Sequence, residues 1–228
     1  MRPSLTSSNL AQTSESALSI AFAAPRPPGG IGSPGRRIGG GRRGPDPVIG
    51  TANENLTALV PVYGAAEAEL VFSKTAADYP TFWFYVPVAE AATGNFVLQD
   101  QAGNPIYETD IVLPERSGII SVSLPSTVAS LEVGQRYQWY LKVYYQPEPP
   151  PAYVHGWIQR DMLSPDLMTQ LEQATVPEQV RLYAAHGFWH EALTLSAELR
   201  QTNANDSAWA DLLQSVNLGY LDAASMVQ

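Results

Sequence analysis

Cysteine is absent from the 228 residues. That excludes disulfides, thiol nucleophiles and thiolate zinc sites. Lysine occurs only twice, as Lys74 and Lys142, and histidine three times. Charged residues make up only 15% of the chain. No apolar run approaches the roughly 20 residues a spanning helix needs. No GxSxG nucleophile elbow occurs, and no Ser or Thr sits in a triad-like setting. What the chain has in quantity is 19 Pro, 17 Gly and 10% aromatics, within 45% hydrophobic residues. That balance argues against global disorder, and the length allows one or two domains with a buried core.

The net charge of −9 is unevenly spread. Up to Pro45 there are six Arg and one acid, Glu15; the remainder carries seven basic and 21 acidic residues. A basic tail on an acidic body suits an anionic partner, such as nucleic acid, or the acidic body of the same or a neighbouring molecule. Phe22 is the tail's only aromatic, and the acidic body repels phosphate, so the body itself is the preferred partner over nucleic acid.

Residues 1–15 read as an unstructured N-terminus. No complete signal peptide is present, because no apolar core of roughly 7–15 residues occurs there. The stretch Ser8 to Gln12 reads as the end of one. Few Lys, no Cys and many Tyr, Pro and Gly also suit export. A secreted, periplasmic or cell-surface location is therefore expected, against the plainer reading of a cytosolic protein with a loose N-terminus.

Residues 16–24, SALSIAFAA, place Leu18, Ile20 and Phe22 on one face if extended, the period of a half-buried strand. Residues 25–50 are rich in Gly, Pro and Arg and read as a linker. GIGSPG and IGGGRRG lack the strand before and helix after that a nucleotide loop requires. Residues 51–161 read as all β, with strands expected at Leu56–Val62, Ala68–Phe72, Thr81–Pro87, Phe96–Asp100, Ile106–Val112, Gly118–Leu124, Arg136–Tyr145 and Val154–Arg160. Gly103-Asn104 between two alternating runs signals a hairpin. Short strands at roughly 8–12-residue spacing suggest an antiparallel sandwich. Leu131, Gly134, Tyr137 and Trp139 resemble the tyrosine-corner segment of immunoglobulin-like and fibronectin-like domains, where the Tyr hydroxyl bonds back to the preceding loop.

Residues 162–228 read as a small helical domain. Ser164 is an N-cap followed by Pro165. Val176 to His186 ends at Gly187, a helix C-cap, and Trp189 to Leu199 follows at once. Asp206 can cap a last helix with Trp209, Leu212, Leu213 and Val216. LYAAHGFWHEALTLSAELR resembles one tetratricopeptide-type helix pair, which cannot bury its own face alone.

The expected architecture is therefore α+β. An immunoglobulin/fibronectin-like antiparallel β-sandwich precedes a tetratricopeptide-like helical domain and follows an extended N-terminal arm. The runs PTFWFYVP, GIISVSLP, YQWYLKV, GWIQRD, GFWHEAL and AWADLLQSV, taken together, resemble a family found mostly in cyanobacteria, domain of unknown function 928. The resemblance covers nearly everything from Pro45 onward and the Gly/Pro/Arg-rich lead-in. It implies export, and it brings no catalytic residues. Members often carry a Cys after the YxWY strand; this chain has Tyr144-Tyr145 there.

Few constellations suggest chemistry. His186 and His190 stand four apart, but Gly187 breaks the helix between them and HExxH is absent, so a packed turn is preferred over a metal pair. Glu67 with Glu69, and Glu108 with Asp110, have the spacing for paired carboxylates. Alternating acids on a strand more often form a solvated face. No cofactor or metal is expected. The aromatics are the richer resource. Trp83, Tyr85, Tyr140 and Tyr144 would form an exposed binding strip for sugars or proteins unless the helices cover it.

Two function classes follow. In the first, a non-catalytic structural protein assembles with copies of itself: a strand (Leu18, Ile20, Phe22) complements a neighbouring sandwich while Arg36, Arg37, Arg42 and Arg43 lie on the next acidic body, and head-to-tail repetition gives an open filament. In the second, the chain is a cell-envelope module that binds glycans or other envelope proteins.

Overall fold

The structure, a computed structural model, describes residues 20–27, 29, 35–39, 55–64, 69–87, 92–144, 151–203 and 206–227. The strands are β1 (Ile38–Gly39), β2 (Leu56–Ala58), β3 (Val62–Tyr63), β4 (Leu70–Thr75), β5 (Thr81–Val86), β6 (Thr93–Gln99), β7 (Pro105–Val112), β8 (Gly118–Ser123), β9 (Arg136–Tyr144) and β10 (Ala152–Arg160). The helices are α1 (Pro165–Gln173), α2 (Val176–Ala185), α3 (Trp189–Thr202) and α4 (Ala208–Ser215). Two sheets form, in the orders β1-β2-β5-β8 and β3-β4-β10-β9-β6-β7.

Side-chain alternation on β5 decides the layers, because successive residues point to opposite faces. Phe82 and Phe84 enter the space between the sheets, where Phe82 meets Phe96 at 5.0 Å and Phe84 meets Trp139 at 5.7 Å. Trp83 points the other way, 6.1 Å from Trp209 of α4, and its Nε1 donates to Thr194 of α3. α3 and α4 therefore cover the outer face of the four-stranded sheet. One continuous apolar core runs from Leu141 and Phe96 through Phe84 to Trp189 and Trp209. A helix pair that cannot bury its own face has found one on the sheet, so position 161/162 marks a change of secondary structure within a shared core.

Local chemistry accounts for most element ends. Ser164 accepts from the Leu167 N–H, with Pro165 at the first helical position. Thr175 and Glu178 form a capping box at α2. Between β6 and β7, the Asp100 carboxylate accepts from the Ala102 and Asn104 N–H groups while Gly103 takes φ +88°. The hairpin expected at Gly103-Asn104 is present.

Three expectations change. The single strand read over 56–62 splits into β2 and β3, which belong to different sheets. Pro61 lies between them and has no N–H to give a ladder. The sandwich is not wholly antiparallel, since β10 runs parallel to β4 with Trp157 beside Phe72 and Ile158 beside Ser73. The reading of 25–50 as linker fails for residues 35–39. Arg36 exchanges both backbone bonds with His155 of β10, and β1 pairs with β2. Gly35 makes this possible: a Cβ there would lie 2.3 Å from Val71 and 2.8 Å from the His155 carbonyl.

The Tyr137 hydroxyl bonds back to the loop before β9, accepting from the Glu132 N–H at 2.8 Å. Tyr137→Phe keeps the buried ring and removes this acceptor. We expect a loss of about 1 kcal/mol in unfolding free energy, read as a lower urea midpoint at unchanged slope. An unchanged midpoint would show that the bond contributes nothing.

Candidate functional site

Two surfaces involve the residues singled out by sequence. The first is a groove across α2, α3 and α4, and the N-terminal arm of the same chain occupies it. Ile20 is buried. Phe22 meets the Trp189 ring edge-on at 4.9 Å. The Ala23 N–H donates to the Ala184 carbonyl at 2.9 Å, one of the last-turn carbonyls that a helix cannot satisfy internally. Gly187 has two reasons to be glycine. It takes φ +78°, and a Cβ there would meet the Ala23 carbonyl at 3.0 Å and Pro25 at 3.1 Å.

The strand reading of 16–24 is corrected over its described part: residues 20–24 form no strand and join no sheet. Their partners are helices, and period-two burial arises equally when an extended chain lies on a helix pair. Leu18 lies outside the described residues.

Arg36 and Arg37 lie on their own chain. The Arg36 guanidinium sits 4.8 Å over the Tyr153 ring. Arg37 Nη1 donates to the Val216 carbonyl at 2.8 Å, just beyond the end of α4, where a cation suits the helix dipole. Arg42 and Arg43 lie outside the described residues.

The second surface is the outer face of the six-stranded sheet. Tyr140 and His155 stack at 5.2 Å with planes 8° apart, and Tyr153 adjoins His155 at 5.9 Å. Tyr144 and Tyr153 are exposed, and Lys142 shares their face. Burial, with the Arg36 charge beside it, lowers the His155 pKa.

The four-residue aromatic strip is therefore divided. Trp83 and Tyr85 lie on β5 under the helices, with Tyr85 buried; Tyr140 and Tyr144 lie on the open face of the other sheet. Sequence reading missed Tyr153 and His155. Their signal was present as alternation through Tyr153, His155 and Trp157, but nothing in the sequence placed that face opposite Tyr140.

The polar constellations serve packing. His190 is 3% exposed, with Nε2 at 2.9 Å from the Ser73 hydroxyl and Nδ1 at 2.9 Å from the Thr81 carbonyl. Glu191 Oε1 accepts from the Thr75 hydroxyl and from the Ala76 and Ala77 N–H groups, tying the β4–β5 loop to α3. Burial raises its pKa. His186 instead ends α2, with Nδ1 beside the Leu182 carbonyl at 2.8 Å. Among the described residues, no three His, Asp or Glu side chains converge as metal ligands. Glu108 and Asp110 are exposed and share the Asn95 amide, the arrangement of a solvated face. Glu67 lies outside the described residues. No helix of the described residues is long and apolar enough to cross a membrane.

A comparison with curated proteins finds no match. Among solved structures, the chain is similar to CopC from Methylosinus trichosporium OB3b, at 12% identity and a TM-score of 0.29. That alignment covers 46% of this chain and 96% of that one. The family model described as Domain of Unknown Function (DUF928) matches residues 38–226, and the chain belongs to that family.

Proposed function

We propose that this is a non-catalytic, exported assembly protein whose N-terminal arm joins copies of the chain by exchange. The observation that carries the reading is the seat of the arm. Ile20, Phe22 and Ala23 use contacts that are the same whichever copy supplies the arm, which is the condition for low-cost swapping. The acceptor is the helical groove rather than a sheet edge. Eight peptide steps from Pro27 to Gly35, through Pro28-Gly29-Gly30-Ile31-Gly32-Ser33-Pro34, reach at most roughly 28 Å. That suffices for a close neighbour.

The finer fold readings belong to the same proposal. The Tyr137 corner supports an immunoglobulin-like sandwich, and the tight α2–α3 turn at Gly187 supports a tetratricopeptide-like pair. The lack of Cys and scarcity of Lys support export.

Since the chain has no Cys, single thiols report exchange without background. Ala23→Cys and Ala185→Cys are made as two separate variants, mixed at high concentration, diluted, and treated with a short bifunctional thiol reagent. We expect a covalent dimer carrying one of each variant, and more of it when residues 1–34 are deleted from the Ala185→Cys chain, whose groove is then free to take the arm of the Ala23→Cys chain. Deletion stops before Gly35 because residues 35–39 belong to the sandwich. Cross-linking confined to the double variant, within one chain, together with a monodisperse monomer for the full chain, would overturn the proposal.

A further inference from the structure

The open face of the six-stranded sheet and the helices α3 and α4 lie on opposite sides of the sandwich, and the charges exposed on the β9–β10 half of that face and on the helices differ in sign. On the sheet face, Arg36, Arg136 and Lys142 accompany Tyr140, Tyr144 and Tyr153. Lys74 is on this face too, but its ammonium is paired with Asp161. β7, two strands beyond β9, carries Glu108 and Asp110, held by the amide of Asn95, the residue paired with Lys142; the cations themselves lie on β9 and at the arm root beside β10. The helical layer exposes Asp166, Glu172, Glu178, Glu198 and Asp222, with Arg181 the exposed cation among its described residues. Arg200 is turned inward, 5.6 Å over Trp209 and bonded to the Ala224 carbonyl.

We propose that the β9–β10 half of the open sheet face docks on the acidic helical layer of a second copy, head to tail. The inference rests on the self-assembly reading above and names its interface. Two different, complementary patches on opposite sides give a heterologous contact that does not close, and hence a filament. Tyr and Arg at such a patch are the residue types that carry binding energy at protein interfaces.

The geometry favours a protein over a sugar as occupant. Sugar stacking needs a ring face turned to solvent. Tyr140 and His155 each cover one face of the other's ring, and the Arg36 guanidinium covers one face of Tyr153. The arm adds a further argument. Its root at Gly35–Arg36 borders this face through the backbone pairing with His155. When the face of one copy meets the helices of the next, the root faces the neighbour's helical layer. Arm exchange and face docking then occur in one contact.

Two charge-reversed variants of the full chain test this. Arg136→Glu with Lys142→Glu makes the sheet face acidic. Glu172→Lys with Glu198→Lys makes the helical layer basic. Each variant alone, verified as folded by circular dichroism, should self-associate at least tenfold more weakly than wild type in light scattering at low salt. Equal mixing should restore assembly, because each face then meets an opposite charge in alternating copies. Wild-type assembly should weaken as salt is raised. Variants that assemble as well alone as wild type overturn the interface, while a positive arm cross-link still upholds the assembly reading. A wild-type chain that stays monomeric and gives no cross-link overturns both. Retention of wild type by an insoluble neutral polysaccharide, abolished by Tyr144→Ala with Tyr153→Ala and without any effect on self-association, reassigns the face to glycans.

Discussion

Trp189→Ala is expected to lower the unfolding free energy by about 3–5 kcal/mol. The side chain is fully buried at the start of α3, and its Nε1 donates to the Leu59 carbonyl at 2.8 Å. It therefore fixes the helical layer to the chain segment between β2 and β3. Truncation removes a large apolar area, leaves a cavity, and strands a buried carbonyl. It also removes the wall on which Phe22 rests. Denaturant unfolding of Trp189→Ala, Phe22→Ala and the double variant separates the two effects. We expect a coupling of about 0.5–1.5 kcal/mol for the edge-to-face ring pair. Zero coupling would mean that the arm does not rest on Trp189 in solution. A loss under 1 kcal/mol for Trp189→Ala would contradict the burial on which the three-layer arrangement depends.

Acid should weaken the fold through His190. Burial pushes its pKa down to about 4, from the ordinary value near 6.5. Its hydrogen bonds fit the neutral ring: Nδ1–H donates to the Thr81 carbonyl, and Nε2 accepts from the Ser73 hydroxyl. A lowered folded-state pKa means that the unfolded chain takes up the proton first. The stability is thus fully present above pH 6.5 and is lost as the pH falls towards 4. Integrated over that window, the loss is about 3 kcal/mol. Glu191 acts in the opposite sense, because its raised pKa makes protonation on acidification favour the folded state. Comparing wild type with His190→Gln isolates the histidine. Gln retains hydrogen-bonding capacity and has no proton to gain, so the variant should show a shallower fall in stability between pH 6.5 and 4.5. Equal slopes would overturn the assignment.

Much of the site was legible, but its sides were not. Period two at Phe82, Trp83, Phe84 and Tyr85 correctly implied two apolar faces on one strand. It did not say which face the helices would cover. Leu18, Ile20 and Phe22 read as a strand because alternating apolar residues are the signal the sequence offers there. The burial of Ile20 and Phe22 is real, but the surface that provides it is a helix pair. The Gly/Pro/Arg-rich stretch read as linker on composition alone. Composition misses a segment like residues 35–39, whose order comes from glycine's lack of a side chain against Val71 and from two backbone bonds to His155. Tyr153 and His155 escape a sequence reading because only the register of β10 on β9 brings them beside Lys142 and Tyr140.

By itself, the sequence determined what depends on near neighbours in the chain. Ser164-Pro165 begins a helix, Gly187 ends one, Gly103-Asn104 turns a hairpin, and Tyr137 bonds back to the loop before it. These rest on backbone geometry and hydrogen bonds a few residues apart. Family membership was legible for a related reason, since the resemblance rests on six short local runs taken together. Tertiary structure alone decided the parallel pairing of β4 with β10, the burial of Trp83 and Tyr85 under α3 and α4, the seat of the arm, and the placing of Lys142 beside the tyrosines. Each joins residues far apart in sequence, and is set by which surfaces exclude water together. A local pattern can state that a face is apolar, but the surface that covers it comes from elsewhere in the fold.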